Sequence, residues 1–182
     1  MNNLKKQYND EIVPALMEKF GYKNKLAVPN LEKVVLNVGA GKGLKDKEYL
    51  VTIKKTLELI SSQKPVETIA RKSISNFKIR EGMVVGAKVT LRGKRMWDFI
   101  EKLVKVTCPR IRDFRGLSPK AFDRNGNYSI GFNEYVAFPE IIQDDVERLH
   151  GLEVCIKTTS DTEELGKALL KELGFPFKKE DK

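Results

Sequence analysis

Apolar residues recur along this chain with two different periods, and the switches between them mark out its elements. Leu4, Tyr8, Ile12, Leu16 and Phe20 return every fourth position, which predicts a helix over residues 2–20 that Pro14 bends or restarts and Gly21 ends. Behind Pro29, the β-branched run Leu31 to Val38 reads as a strand, and a glycine cluster follows at Gly39, Gly41 and Gly43. Leu50, Ile53, Leu57 and Ile60 line one side of a second helix over 46–62, stopped by Pro65. Val66 to Ala70 can form a short strand, and Val84 to Leu91 alternates well enough for another. Residues 71–82, between them, lack a consistent period and read as an exposed loop ending at Gly82. Met96, Phe99, Ile100, Leu103 and Val104 give the clearest helical stripe, over 94–106, with Pro109 as its stop. Strands are predicted at Tyr128 to Tyr135 and Leu152 to Thr159. Ser160 and Glu163 form a capping box for a last helix over 161–173, and Lys178 to Lys182 reads as a charged, frayed tail.

The resulting order, α-β-α-β-β-α-β-β-α, contains few strict βαβ repeats. It predicts an α+β fold: a mostly antiparallel sheet with helices packed on one face, leaving the other face and its loops free. The 182 residues fit a single domain spanning 1–182.

Charge sharpens this picture. The chain carries a net +9, but unevenly. Residues 71–120 hold 14 Lys and Arg against 4 Asp and Glu, whereas residues 121–182 hold 8 against 13. A basic middle and an acidic last third favour a polyanion-binding face over a uniformly charged surface. The first residues lack the apolar stretch of a signal peptide, and no run of about 18 apolar residues suggests a membrane span. A reducing, cytoplasmic setting fits the two dispersed cysteines, Cys108 and Cys155, which read as small core residues.

Enzymatic readings find little support. The loop from Gly39 to Gly43 follows a strand and precedes a helix, as a phosphate-cradling loop would. A nucleotide-binding enzyme would need Ser or Thr after Lys42, or a glycine at position 44; the chain has Gly43 and Leu44. The remaining readings are a permissive turn, or close approach of the backbone at Gly39 and Gly41 to an RNA phosphate, with Lys42 adding charge. His150 is the lone histidine and reads as a surface or loop residue, and Asp144 and Asp145 as a solvated face. No catalytic residue, metal ligand or cofactor is assigned. The segment from Arg71 to Arg80 is different. Arg71, Lys72, Lys78 and Arg80 suit phosphates, Ser75 and Asn76 suit hydroxyls, and Phe77 either stacks on a base or helps Ile74 and Ile79 anchor the loop. Arg110, Arg112 and Arg115 form a second basic group; in an extended segment Arg110 and Arg112 would share a side opposite Ile111. The acidic last third also admits a protein–protein scaffold, compatible with RNA binding.

At these residues the chain resembles the bacterial large-subunit ribosomal protein five family, which binds 5S rRNA. The resemblance runs through almost the whole chain: Pro29–Gly39, Gln63–Pro65, Arg71–Ser73, Phe77–Gly82, Gly86–Gly93, Pro109–Gly116, Gly126–Ser129 and Phe138–Ile141. It implies a place in the central protuberance, where family members help attach 5S rRNA beside 23S rRNA and other 5S-associated proteins. Carried over, Asn37, Gln63 and Thr90 are the leading rRNA contacts, supported by Lys33, Lys64, Thr68, Lys88, Arg92 and Lys94. The loop holding Ser75, Asn76, Phe77, Lys78 and Arg80 would reach P-site tRNA. A bridge to a small-subunit head protein would fall loosely within 109–145, at Arg110, Arg112 and Arg115. Ser62 stands where the family usually has glycine, and Ser75 and Asn76 where it has Ala-Gly.

Overall fold

The computed structural model describes residues 3–41, 46–141 and 149–178. Strands β1 (Leu31–Gly39), β2 (Val66–Ile69), β3 (Val84–Leu91), β4 (Tyr128–Phe132) and β5 (Leu152–Thr158) form one sheet in the order β2-β3-β1-β5-β4. β2 and β3 are antiparallel. Ala40 N–H donates to Val85 O, Asn37 lies against Glu153, and Ser129 against Cys155, so the remaining neighbours also run antiparallel. The alternation is plain in burial. Val34, Leu36, Val38, Ala87, Val89, Leu91, Ile130, Val154 and Ile156 all point into the core. Their neighbours Val35, Asn37, Lys88, Thr90, Ser129, Glu153, Cys155 and Lys157 are exposed or half-buried. One face of the sheet is therefore covered and the other open, as the α+β reading anticipates. Cys155 lies on the open side, half-buried, whereas Cys108 alone is the core residue expected of both.

The chain falls into two compact units. The first takes the described parts of 1–34, 91–130 and 155–182, and is mostly helical. Here α1 (Asn3–Gln7), a π-helical turn (Tyr8–Ile12) and α2 (Val13–Phe20) form one rod, closed by Gly21 in the left-handed region at φ 70°. Tyr8 packs on Trp97 at 5.3 Å and donates to Pro29 O at 2.9 Å; burial pushes its phenol up to about 12. The same pattern recurs as α4 (Gly93–Lys102), a π turn (Leu103–Thr107) and α5 (Cys108–Arg110). Pro109 therefore does not stop this helix. Both prolines sit just after a π turn, whose i→i+5 bonds carry the preceding carbonyls clear of a residue that has no N–H to offer.

The last helix, α6 (Glu163–Glu172), is capped by Thr162, whose hydroxyl accepts from Leu165 N–H at 3.4 Å. Ser160 is not the cap. Its hydroxyl is buried against Thr158 Oγ1 and donates to Asn125 O at 3.2 Å, so a tertiary partner has taken the group that local spacing assigned to the helix.

The second unit covers residues 35–90 and the described parts of 131–154. α3 (Lys47–Ser61) starts at Asp46, whose carboxylate accepts from Glu48 N–H, and buries Ile53, Leu57 and Ile60. It ends at Ser62 with φ 51°, the left-handed conformation that glycine adopts most easily; a serine bears this at a cost of about 1 kcal/mol. β4 ends at Phe132, short of the expected Tyr135, which instead turns into a 3₁₀ segment, Tyr135–Ala137.

His150 lies in a loop, as expected, but is 4 % exposed and so not at the surface. It stacks on Tyr135 at 4.1 Å, meets Tyr49 edge-on at 6.5 Å and donates through Nδ1 to Gly151 O. Its Nε2 is buried without a hydrogen-bond partner among the described residues, and burial holds its pKa below the ordinary value. The unfolded chain therefore binds a proton near pH 6.5 that the folded chain still refuses. Stability should fall as pH drops below that value, and the fall should be shallower in His150→Phe. Thermal melts at pH 7.5, 6.5 and 5.5 check this; parallel curves for the two proteins would show that His150 contributes nothing to the slope.

Candidate nucleic-acid interface

Within the second unit, the open face is built from three adjacent strands. The Ala40–Val85 bond, together with the alternation, aligns Asn37 of β1 with Lys88 of β3 and Val35 with Thr90. On the far side of β3, the β2 register sets Val66 against Lys88 and Thr68 against Gly86. Asn37 is half-buried and its amide donates to Glu153 at 3.4 Å. Gln63 sits at the approach to β2. Its backbone N–H donates to Ser61 Oγ at 3.2 Å, and its side-chain amide donates to Thr90 O at 3.2 Å. Asn37 and Thr90 thus share one open surface, with Gln63 tied to the edge of it and the Lys88 ammonium exposed between. Amides and hydroxyls read hydroxyls and base edges, while the ammonium attracts phosphate.

Next to this row Gly86 is buried. A Cβ on Gly86 would run into Val38 O, and the Thr68 hydroxyl would lie 3.0 Å away, so the position admits no side chain. Gly39 and Gly41 are exposed with nothing crowding them, leaving their backbone open to close approach. Lys42 lies outside the described residues. Lys64, Arg71 and Lys72 are exposed at the two ends of β2.

Residues 71–82, expected as an exposed loop, are exposed at every position but Ile79, and they extend the β2–β3 hairpin. Ala70 and Met83 are bonded, Ile74 and Ile79 exchange both backbone bonds at 2.8 and 3.1 Å, and Ser73 Oγ accepts from Glu81 N–H. Lys78, at φ 55°, closes the turn from Ser75. Phe77 is 68 % exposed and Ile74 45 %, so they do not anchor the tip to the core. Asn76, Phe77, Lys78 and Arg80 are therefore presented together at the end of a braced ribbon.

The first unit holds the remaining candidates. Lys33, Arg92 and Lys157 all approach the carboxylate of Glu32, at 4.0, 3.8 and 3.1 Å. The hydrogen bond from Lys157 leads in holding that carboxylate below its ordinary pKa. Sequence reasoning misses Lys157 and Glu32, although alternation over 152–159 puts Lys157 on the outward parity of β5. Lys94 is exposed in the first turn of α4. Arg110, Arg112 and Arg115 are exposed but do not form an extended run: Arg110 ends α5, and Asp113 at φ 54° turns the chain between the other two.

Comparison with known proteins gives consistent matches over most of the chain. Residues 24–80 match the family described as "Ribosomal protein L5", and residues 84–177 match the C-terminus of the same ribosomal family. "Large ribosomal subunit protein uL5" of Symbiobacterium thermophilum is 53 % identical over 177 residues, covering 97 % of this chain and 98 % of that protein. The proteins of the same name from Halothermothrix orenii and Oceanobacillus iheyensis are 54 % and 51 % identical, over 97 % and 98 % of this chain and 99 % and 100 % of theirs.

Proposed function

Since the chain belongs to the bacterial ribosomal L5 family and is a structural constituent of the large ribosomal subunit in the cytoplasm, we propose that it attaches 5S rRNA through the open face of its second unit. The observation that carries this reading is the grouping of Asn37, Thr90 and Lys88 on an uncovered sheet surface with Gln63 at its edge. Recognition then proceeds in two steps. Exposed cations steer the RNA by its phosphates, and the neutral amides and hydroxyls select among the hydroxyls and base edges that a folded RNA presents. Lys64, Thr68, Arg71, Lys72 and the exposed backbone at Gly39 and Gly41 extend this surface. In the first unit, Lys33, Arg92 and Lys94 are further rRNA contacts.

The hairpin tip serves a second RNA. Ser75, Asn76, Phe77, Lys78 and Arg80 would meet P-site tRNA, Phe77 by stacking and the cations through phosphates. Arg110, Arg112 and Arg115 would face the small-subunit head protein, and 23S rRNA and other 5S-associated proteins complete the partners. Binding to 5S rRNA is expected to exceed binding to a length-matched RNA duplex, with affinity for both falling as salt rises. Titrations of both RNAs at two salt concentrations test this, and equal affinities would remove specific recognition. Lys78→Ala should leave 5S binding intact; its loss would show that the two RNA surfaces are not separate.

A further inference from the structure

In the first unit, one carboxylate gathers three cations on the open side of the sheet. Burial along β1 is Leu31 in, Glu32 and Lys33 both half-exposed, Val34 in, so the alternation slips by one residue and Glu32 joins Lys33 on the open side. Arg92, just past β3, and Lys157 of β5 complete the group. All four side chains remain accessible, with Arg92 59 % and Lys157 48 % exposed. Surface ion pairs of this kind add little to stability. Their effect on what the surface binds is larger. A phosphate approaching these cations meets a fixed negative charge at their centre, which cancels part of their attraction. A ribose hydroxyl or base N–H approaching the same point meets an acceptor.

We propose that Glu32 is a specificity-determining residue: it makes this part of the surface refuse regular rows of phosphate and accept a folded RNA that turns a hydrogen-bond donor toward it. The inference rests on the reading of the chain as a 5S rRNA-binding protein. Such an acceptor works by negative selection, weakening the wrong ligand more than the right one.

The full chain and its Glu32→Gln and Glu32→Asp forms are to be titrated with 5S rRNA and with a length-matched RNA duplex. Glu32→Gln should bind the duplex about fivefold tighter, with a steeper salt dependence, because the three cations are freed from their internal counter-charge. Its affinity for 5S rRNA should rise less or fall, so the preference drops at least threefold. Glu32→Asp keeps the charge and should stay within about twofold of the parent on the duplex. An unchanged duplex affinity in Glu32→Gln, an equal gain for both RNAs, or the same gain in Glu32→Asp would overturn the role of Glu32. Failure of the unaltered protein to prefer 5S rRNA would instead overturn the underlying reading, since the duplex titration judges Glu32 without it.

Discussion

Replacing Gly166 with alanine should destabilise the protein by about 3 kcal/mol, although the position lies inside α6 where alanine is intrinsically better by about 1 kcal/mol. The reason is contact between two backbones. A Cβ at Gly166 would collide with Gly126 O and lie 2.6 and 2.7 Å from Gly126 Cα and C. Gly126 cannot retreat. It sits at φ 70°, its carbonyl accepts from Thr158 Oγ1 at 3.0 Å, and its loop is tied down by the Asp123 carboxylate, which accepts from the N–H groups of Asn125 and Asn127. Partial burial raises the pKa of the Asp123 carboxyl, but the Asn127 side-chain amide, which donates to it at 2.8 Å, and the two backbone bonds outweigh that and hold it below its usual range. For a chain of this size the loss corresponds to a melting temperature lower by on the order of 10 °C. Thermal and urea melts of Gly166→Ala measure it. An unchanged or raised midpoint would mean that α6 can shift away from the 123–127 loop.

The second large effect concerns binding. Asn37→Ala should weaken 5S rRNA binding by roughly 1–2 kcal/mol, about tenfold, with the salt dependence unchanged, because an uncharged hydrogen-bonding group is removed. Lys88→Ala, one strand away, should behave differently: its loss should shrink at high salt, and the slope of log affinity against log salt should fall by about 0.9. Neither side chain supports the core, so both variants should melt near the parent temperature. If Asn37→Ala bound 5S rRNA as the parent does, the surface between β1 and β3 would not be the specific contact.

Much of this arrangement is legible in the chain itself, because period alone separates a helix that buries one stripe from a strand that buries every other residue. The inward set Val34, Leu36 and Val38, and its outward counterpart Val35 and Asn37, follow directly from alternation. What escapes depends on partners distant in sequence. Ser160 looks like a cap until Thr158 and Asn125 claim its hydroxyl. His150 looks exposed beside Gly151 until Tyr135 and Tyr49 enclose it. Pro109 looks like a helix end because one-dimensional reading has no signal for a widened turn. Lys157 escapes for another reason: averaged over an acidic third of the chain, its charge vanishes, although the strand pattern already puts it on the outer side.

The widened turn at Tyr8–Ile12 bears on how the first helix keeps its grip. Leu4, Tyr8, Ile12 and Leu16 recur every fourth residue, and on a uniform α-helix each such step overshoots a full turn by ~40°. Three of them would carry the stripe away from any flat neighbour, yet all four residues are buried, none more than 5 % exposed. The single slack turn winds the stripe back into line. The spacing there is consequently a matter of residue count. Adding one residue between Tyr8 and Ile12 would turn Leu4 by about 100° toward water and spoil the seat of Tyr8 against Trp97, even with every apolar side chain retained, whereas removing one would turn the widened turn into an ordinary α turn and leave the stripe in line.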